Sequence, residues 1–157
     1  MIDSETDKGT EAAYLQALKS FNEGGGPVGS SIFIEGAVVA VGHNKRFQQK
    51  SNILHGEMDC IENAGHAYDL SKATLFTTLS PCQMCANAIL LFRIPRVVIL
   101  DNTSTTDFTT NVDSLMSEGV DVVISDRLAC THHRIPFSIC LDQERAFKRD
   151  RFFTGQD

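Results

Sequence analysis

Ile53-Leu54-His55-Gly56-Glu57-Met58-Asp59-Cys60 and, about one helix and one strand further on, Leu79-Ser80-Pro81-Cys82-Gln83-Met84-Cys85-Ala86 decide how this chain is read. Pro81 suits the first turn of a helix, where its missing N–H costs little. Cys82 and Cys85 are then three residues apart, with both sulfurs on one helix face. In a first turn, unpaired backbone N–H groups and the helix dipole favour thiolates. His55 is expected at the start of a second helix, after an extended segment, so two helix starts can aim at one point. An imidazole and two thiolates are a good zinc set.

Three ligands follow from this pattern. A structural zinc site normally closes with four protein ligands, whereas a catalytic one keeps a position for water. Glu57 lies two residues beyond His55. On a regular helix the pair would face apart, but at a helix start the first residue need not be fully helical. A carboxylate beside zinc-activated water can take a proton and return it. Taken singly, each residue has a plainer role: a Cys-x-x-C pair as a redox motif or two buried thiols, a His as a structural group. A closed zinc knot would need Cys60, His43 or His66 as fourth ligand, and would leave Glu57 without a task. Cys60, Cys130 and Cys140 read as small core residues.

Working outward, Thr10 to Phe21 reads as an amphipathic helix, stopped by Asn-Glu-Gly-Gly-Gly-Pro. Ser31–Ile34 and Ala37–Val41, separated by Glu35-Gly36, read as a hairpin that ends at Gly42-His43-Asn44. Then come a helix over Gly56–Ala64, a strand over Thr74–Thr78, a helix over Cys82–Phe92 and a strand over Arg96–Leu100. A short helix over Asn111–Ser117 and a strand over Val120–Ile124 follow. A hairpin followed by alternating helix and strand predicts an α/β fold with a mixed sheet of five strands.

The 157 residues suggest one domain, covering 1–157, with enough chain to bury a core. A formal net charge of −6 argues against a phosphate-backbone partner. Arg145, Lys148, Arg149 and Arg151 are interrupted by Asp142, Glu144 and Asp150, and read as a solvated helix face. No apolar run reaches membrane-spanning length, and the acidic N-terminus is unlike a secretory signal. Five cysteines without a disulfide-like pattern fit a reducing cytoplasm.

His-x-Glu…Pro-Cys-x-x-Cys is a signature of zinc deaminases that act on nucleobases. From about Ala12 to Val123 the chain resembles the cytidine deaminase-like superfamily. Its segments EGGGPVG, GHNKRF, LHGEMD, TLFTTLSPCQMCANAI and RIPRVV are similar to the free-base cytosine deaminase group of fungi and bacteria. The resemblance implies a three-layer α/β/α sandwich and a Zn2+ cofactor, with His55, Cys82 and Cys85 as ligands and Glu57 as proton shuttle. It further implies that Asn44 bonds the ring edge, the Gly56 backbone donates to the ring carbonyl and the Ser80 carbonyl accepts from the leaving amino group. Val28 would be an apolar wall and Phe108 an aromatic contact. On residue type alone Asn44 would be a turn residue, and Phe108 a core or loop aromatic.

The tail departs from that group. Phe152 and Phe153 can supply its aromatic lid, but Thr154 and Gly155 stand where acids are expected. The resemblance makes cytosine the default substrate, and the altered tail brings in isocytosine, guanine or an aminotriazine as alternatives. The altered tail is expected to mark a substrate shift. A nucleoside or tRNA deaminase is a more distant alternative, and a non-catalytic zinc module a third class. The partners implied are a small heterocycle and a second copy in a homodimer, with neither nucleic acid nor membrane. Asp59 is expected either to orient His55 from behind or to be an exposed helix acid.

Overall fold

The computed structural model describes residues 4–100 and 109–125. Its order is α1 (Ser4–Asn22), β1 (Gly29–Ile34), β2 (Ala37–His43), α2 (Gly56–Ala64), β3 (Thr74–Thr77), α3 (Gln83–Leu91), β4 (Arg96–Ile99), α4 (Thr109–Ser117) and β5 (Asp121–Ile124), with a short 3-10 turn over Leu70–Lys72. The strands form one five-stranded sheet in the order β2-β1-β3-β4-β5. The β2–β1 and β1–β3 pairs are antiparallel, while β3–β4 and β4–β5 are parallel. The expected mixed α/β sheet is therefore present.

The hairpin closes on Ile34 paired with Ala37. Glu35 and Gly36 both take positive φ, 48° and 87°. That is the two-residue turn whose twist matches the strands, and it explains the glycine. A register shift between Ile32 and Phe33 skips Val39, a bulge that bends β2 against β1.

Alternation along the strands separates two apolar layers. Ile32, Leu75, Val97 and Ile99 pack with Cys60, Ile61 and Ala64 of α2, Ala86 and Ile89 of α3, and Val112 and Leu115 of α4. Phe33, Phe76 and Val98 point the other way, with Leu100 and with Ala13 of α1. The sheet thus has helices on both faces, giving three layers. Phe33 and Phe76 meet edge to face at 6.4 Å, an arrangement that aromatic pairs favour.

Several expected boundaries move: β1 begins at Gly29, β2 runs to His43 and α4 begins at Thr109, and two further shifts bear on packing and on the site. The first helix begins at Ser4 instead of Thr10. Gly9, which discourages a helix on propensity, sits where a Cβ would collide with the Phe76 ring. Sheet packing therefore selects a glycine inside the helix. The third helix starts at Gln83 with Cys82 as its N-cap, so Pro81 lies outside the first turn where it was expected.

The register carries three chain segments to one end of the sheet. Gly29 opens β1 opposite His43, the last residue of β2, and Ser30 pairs with Thr77, the last of β3. Asn44 N donates to Val28 O at 2.9 Å, and Thr78 N to Gly29 O at 3.0 Å. The starts of α2 and α3 follow at this same end. No described helix is long and apolar enough to cross a membrane.

Candidate metal centre and base pocket

Both helices that reach this end begin in the same way. His55, the N-cap of α2, has φ −68° and ψ 165°. Cys82, the N-cap of α3, has φ −71° and ψ 172°. An N-cap usually bonds its own helix through Ser, Thr, Asp or Asn, and neither side chain here does so. They turn to each other instead. Cys82 Sγ lies 3.5 Å from His55 Nδ1, Cys85 Sγ lies 3.7 Å from that nitrogen, and the two sulfurs are 3.7 Å apart.

These separations fit one ion. Tetrahedral zinc with bonds of about 2.3 Å to sulfur and about 2.0–2.1 Å to nitrogen has edges near ~3.8 Å between sulfurs and ~3.6 Å between nitrogen and sulfur. Among the described residues, the group that could hold a metal has three members: His55, Cys82 and Cys85. The candidates for a fourth ligand lie elsewhere. The His43 ring meets Gln16 and Glu23. Cys60 is in the core, where burial pushes its thiol far up, and His66 is exposed.

The charges suit a cation. The Cys82 thiol is pulled down to about 3, chiefly by a hydrogen bond from Cys85 and secondarily by one from His55. Cys85 is pushed up because it supplies that proton and is buried. Contact with the Cys82 sulfur raises the His55 imidazole. The cluster therefore gathers a thiolate and its proton around one point, where a metal displaces protons.

Glu57 is 3% exposed and its Oε2 is 3.4 Å from Cys85 Sγ. Burial raises its proton affinity. Its other oxygen, Oε1, faces Thr77 Oγ1 at 3.2 Å. Sequence reasoning missed this partner. The Thr77 hydroxyl also lies 3.0 Å from Leu79 O, a group that can only accept. With its proton on Leu79 O, the hydroxyl accepts from a protonated Glu57; with its proton turned to Glu57, it serves the carboxylate. Both states of the carboxyl are accommodated without moving it. A buried carboxyl held in this way can receive and return a proton beside the three-donor cluster. Thr77 stands in register with Ser30 on the face covered by α2, a placement that its sequence neighbours do not announce.

Val28 and Leu79 form a small buried apolar pair, and the Val28 carbonyl adjoins the backbone of Gly56. A Cβ on Gly56 would lie 3.2 Å from Val28 O and 3.3 Å from Ser30 Oγ, tight enough to explain the glycine. As the first residue of α2, Gly56 has no acceptor for its N–H within the helix. Ser80 is buried, and Pro81 O accepts from Asn111 Nδ2 of α4 at 3.4 Å. Asn44 is buried beside Val28, and its Oδ1 accepts from Arg46 N at 3.0 Å. It is thus the turn residue that its type suggests, held against the backbone of Val28. Asp59 is 2% exposed, and so is not an exposed helix acid. Its oxygens meet His43 N and Lys45 Nζ rather than the His55 ring. Phe108, Phe152, Phe153, Thr154, Gly155 and the basic cluster lie outside the described residues.

Comparison with known proteins agrees with this geometry. The chain is 46% identical over 119 residues to a cytosine deaminase of Candida albicans, which covers 74% of this chain and 77% of that one. It is 39% identical over 89 residues to a tRNA-specific adenosine deaminase of Bacillus subtilis, 55% of each chain. Among solved structures, a guanine deaminase from Nitrosomonas europaea superposes with a TM-score of 0.71 at 18% identity, over 93% of this chain and 86% of that one. Residues 3–101 match the family described as the cytidine and deoxycytidylate deaminase zinc-binding region, and the chain belongs to that family of zinc-dependent deaminases.

Proposed function

We propose that the protein hydrolytically deaminates a free amino-substituted base, cytosine by default, and releases ammonia. The observation that carries this reading is the 46% identity to a cytosine deaminase across 77% of that protein. The match to the tRNA-specific enzyme spans only 55% of it. A formal net charge of −6 also suits a small neutral substrate better than a polyanion.

In this reading His55, Cys82 and Cys85 hold zinc. Bound there, zinc supplies Lewis acidity that makes water a nucleophile near neutral pH. The chain's own groups do the rest. Glu57 takes a proton from the water and delivers it to the ring nitrogen, then takes the second proton from the hydroxyl added to the carbon and gives it to the departing amine. The carbon–nitrogen bond breaks as the carbonyl forms, so one water is consumed for each ammonia released. Asn44 and the Gly56 N–H hold the polar ring edge, the Ser80 carbonyl accepts from the amino group, and Val28 bounds one face. Phe108, Phe152 and Phe153 would close the pocket, and a homodimer belongs to the same reading.

A second ring remains in play because Thr154 and Gly155 replace the acids expected in the tail. An ammonia-release screen of zinc-loaded protein separates the two. The panel is cytosine, isocytosine, guanine, an aminotriazine, cytidine and adenosine-34 tRNA. The highest kcat/KM on a free base is expected. A kcat/KM for cytosine far above the other rings removes the substrate shift, and turnover confined to the tRNA removes the free-base reading.

A further inference from the structure

We propose that Asp59 is a positioning residue for Asn44, tying the residues on both sides of it to the helix that carries His55 and Glu57. The inference rests on the reading of Asn44 as a base-binding residue.

Asp59 lies in the first turns of α2, and its two carboxylate oxygens reach across to the end of β2. Oδ2 accepts from the backbone N–H of His43 at 2.9 Å, and Oδ1 from Lys45 Nζ at 2.6 Å. His43 precedes Asn44 and Lys45 follows it. The link from Asp59 to His55 is the ordinary main-chain helix bond, N to O at 2.9 Å. A buried carboxylate needs its charge compensated. Here the compensating groups flank Asn44, so satisfying the charge and holding the loop are one event.

The packing leaves little slack. A Cβ on Gly42 would collide with the backbone of Cys60, so α2 rests directly on the strand just ahead of the loop. Asn44 is held from its other sides as well. Its N–H donates to Val28 O, and its carbonyl accepts from Ser20 Oγ at 2.8 Å and Gln48 Nε2 at 2.9 Å. The Arg46 N–H on Oδ1 decides which end of the side-chain amide faces the turn. Among the described residues Nδ2 meets no protein acceptor, which leaves a donor and the second Oδ1 lone pair for a ring edge. The position of that edge relative to Glu57 is then set through α2, with Asp59 as the link. A loop that must be re-ordered on each binding event weakens the contact to the ring edge, because its ordering cost falls on binding.

Steady-state kinetics on zinc-loaded Asp59→Asn, with cytosine as probe, tests this. Zinc stoichiometry is expected to be unchanged. KM is expected to rise about tenfold while kcat falls less than about threefold, because binding geometry and not chemistry is disturbed. The decisive readout is a double-mutant cycle on cytosine binding, measured by calorimetry in the non-reacting Glu57→Gln protein. Asp59→Asn should weaken binding when Asn44 is present and change it less than about twofold in Asn44→Ala. Equal weakening in both backgrounds, or no weakening in either, overturns the proposal. Lys45→Met, which alters a partly exposed side chain, serves if Asp59→Asn does not fold. The same loss of effect in Asn44→Ala is required, and an unaltered KM overturns the brace. If Asn44→Ala itself binds cytosine as its parent does, the reading of Asn44 has failed and the brace falls with it. If the wild-type protein does not bind cytosine, the cycle is run with the free base of highest kcat/KM, and binding of none of the free bases overturns both.

Discussion

The starts of α2 and α3 and the exit of β2 lie at one end of the sheet, yet they treat their polar groups in opposite ways. His55 and Cys82 occupy capping positions without capping. The three donors converge 3.5–3.7 Å apart, a disposition that a cation completes. At the exit of β2, by contrast, the backbone of Asn44, its Oδ1, the His43 amide and the Lys45 ammonium are all engaged within the protein. One region is left incomplete so that it can take an ion. The other is held in place by its own protein partners before any ligand arrives, which is the preorganisation that the proposed base contact needs.

The sharpest way to break this contrast is Glu57→Gln. The amide keeps the shape of the side chain but cannot shuttle a proton. Zinc content, measured by elemental mass spectrometry, should stay at the wild-type value while kcat for ammonia release falls by roughly 10²–10⁴. A variant with near-native turnover would remove Glu57 from the chemistry and leave the three donors as a structural site.

Thr77→Val comes next in size. It preserves shape but removes the hydroxyl between Glu57 Oε1 and Leu79 O. A hydrogen bond to a charged group is worth about 1.5–3 kcal/mol, so kcat should fall roughly tenfold to a hundredfold. Zinc content should not change, and the pH dependence of kcat should shift upward, because a carboxylate deprived of a donor is harder to form. An unaltered pH profile and rate would mean that packing alone places Glu57.

The difference between the two regions also explains what could be read in the sequence. The metal corner is written in residue type and spacing: His-x-Glu, Cys-x-x-Cys, and two helix starts with no ordinary cap. The hairpin turn at Glu35-Gly36 and helix α2 are likewise local, and both are where local chemistry puts them. Contacts between distant segments were not legible. Gly9 reads as a helix breaker until the Phe76 ring is seen against it. Asp59 has the same sequence neighbours whether it faces water, His55 or the strand exit. Only the approach of α2 onto Gly42 decides the matter. Thr77 looks like any strand threonine until α2 brings Glu57 over it.

The smallest predicted effect probes the closed region from its far side. Ser20, on α1, is fully buried. Its hydroxyl lies 2.6 Å from Gly26 O and 2.8 Å from Asn44 O, with one proton for two acceptors. Ser20→Ala therefore removes one donated bond and the longer one that its oxygen accepts from Gln48 Nε2 at 3.2 Å, while Gln48 Nε2 still serves the Asn44 carbonyl. The expected loss of stability is about 1 kcal/mol, seen as a lower denaturant midpoint with an unchanged slope. KM for the base should rise by less than roughly threefold, since Asp59 still holds both neighbours of Asn44. A tenfold or larger rise would move control of the Asn44 loop from α2 to α1. The metal corner and the Asn44 turn would then be set by separate helices instead of sharing α2.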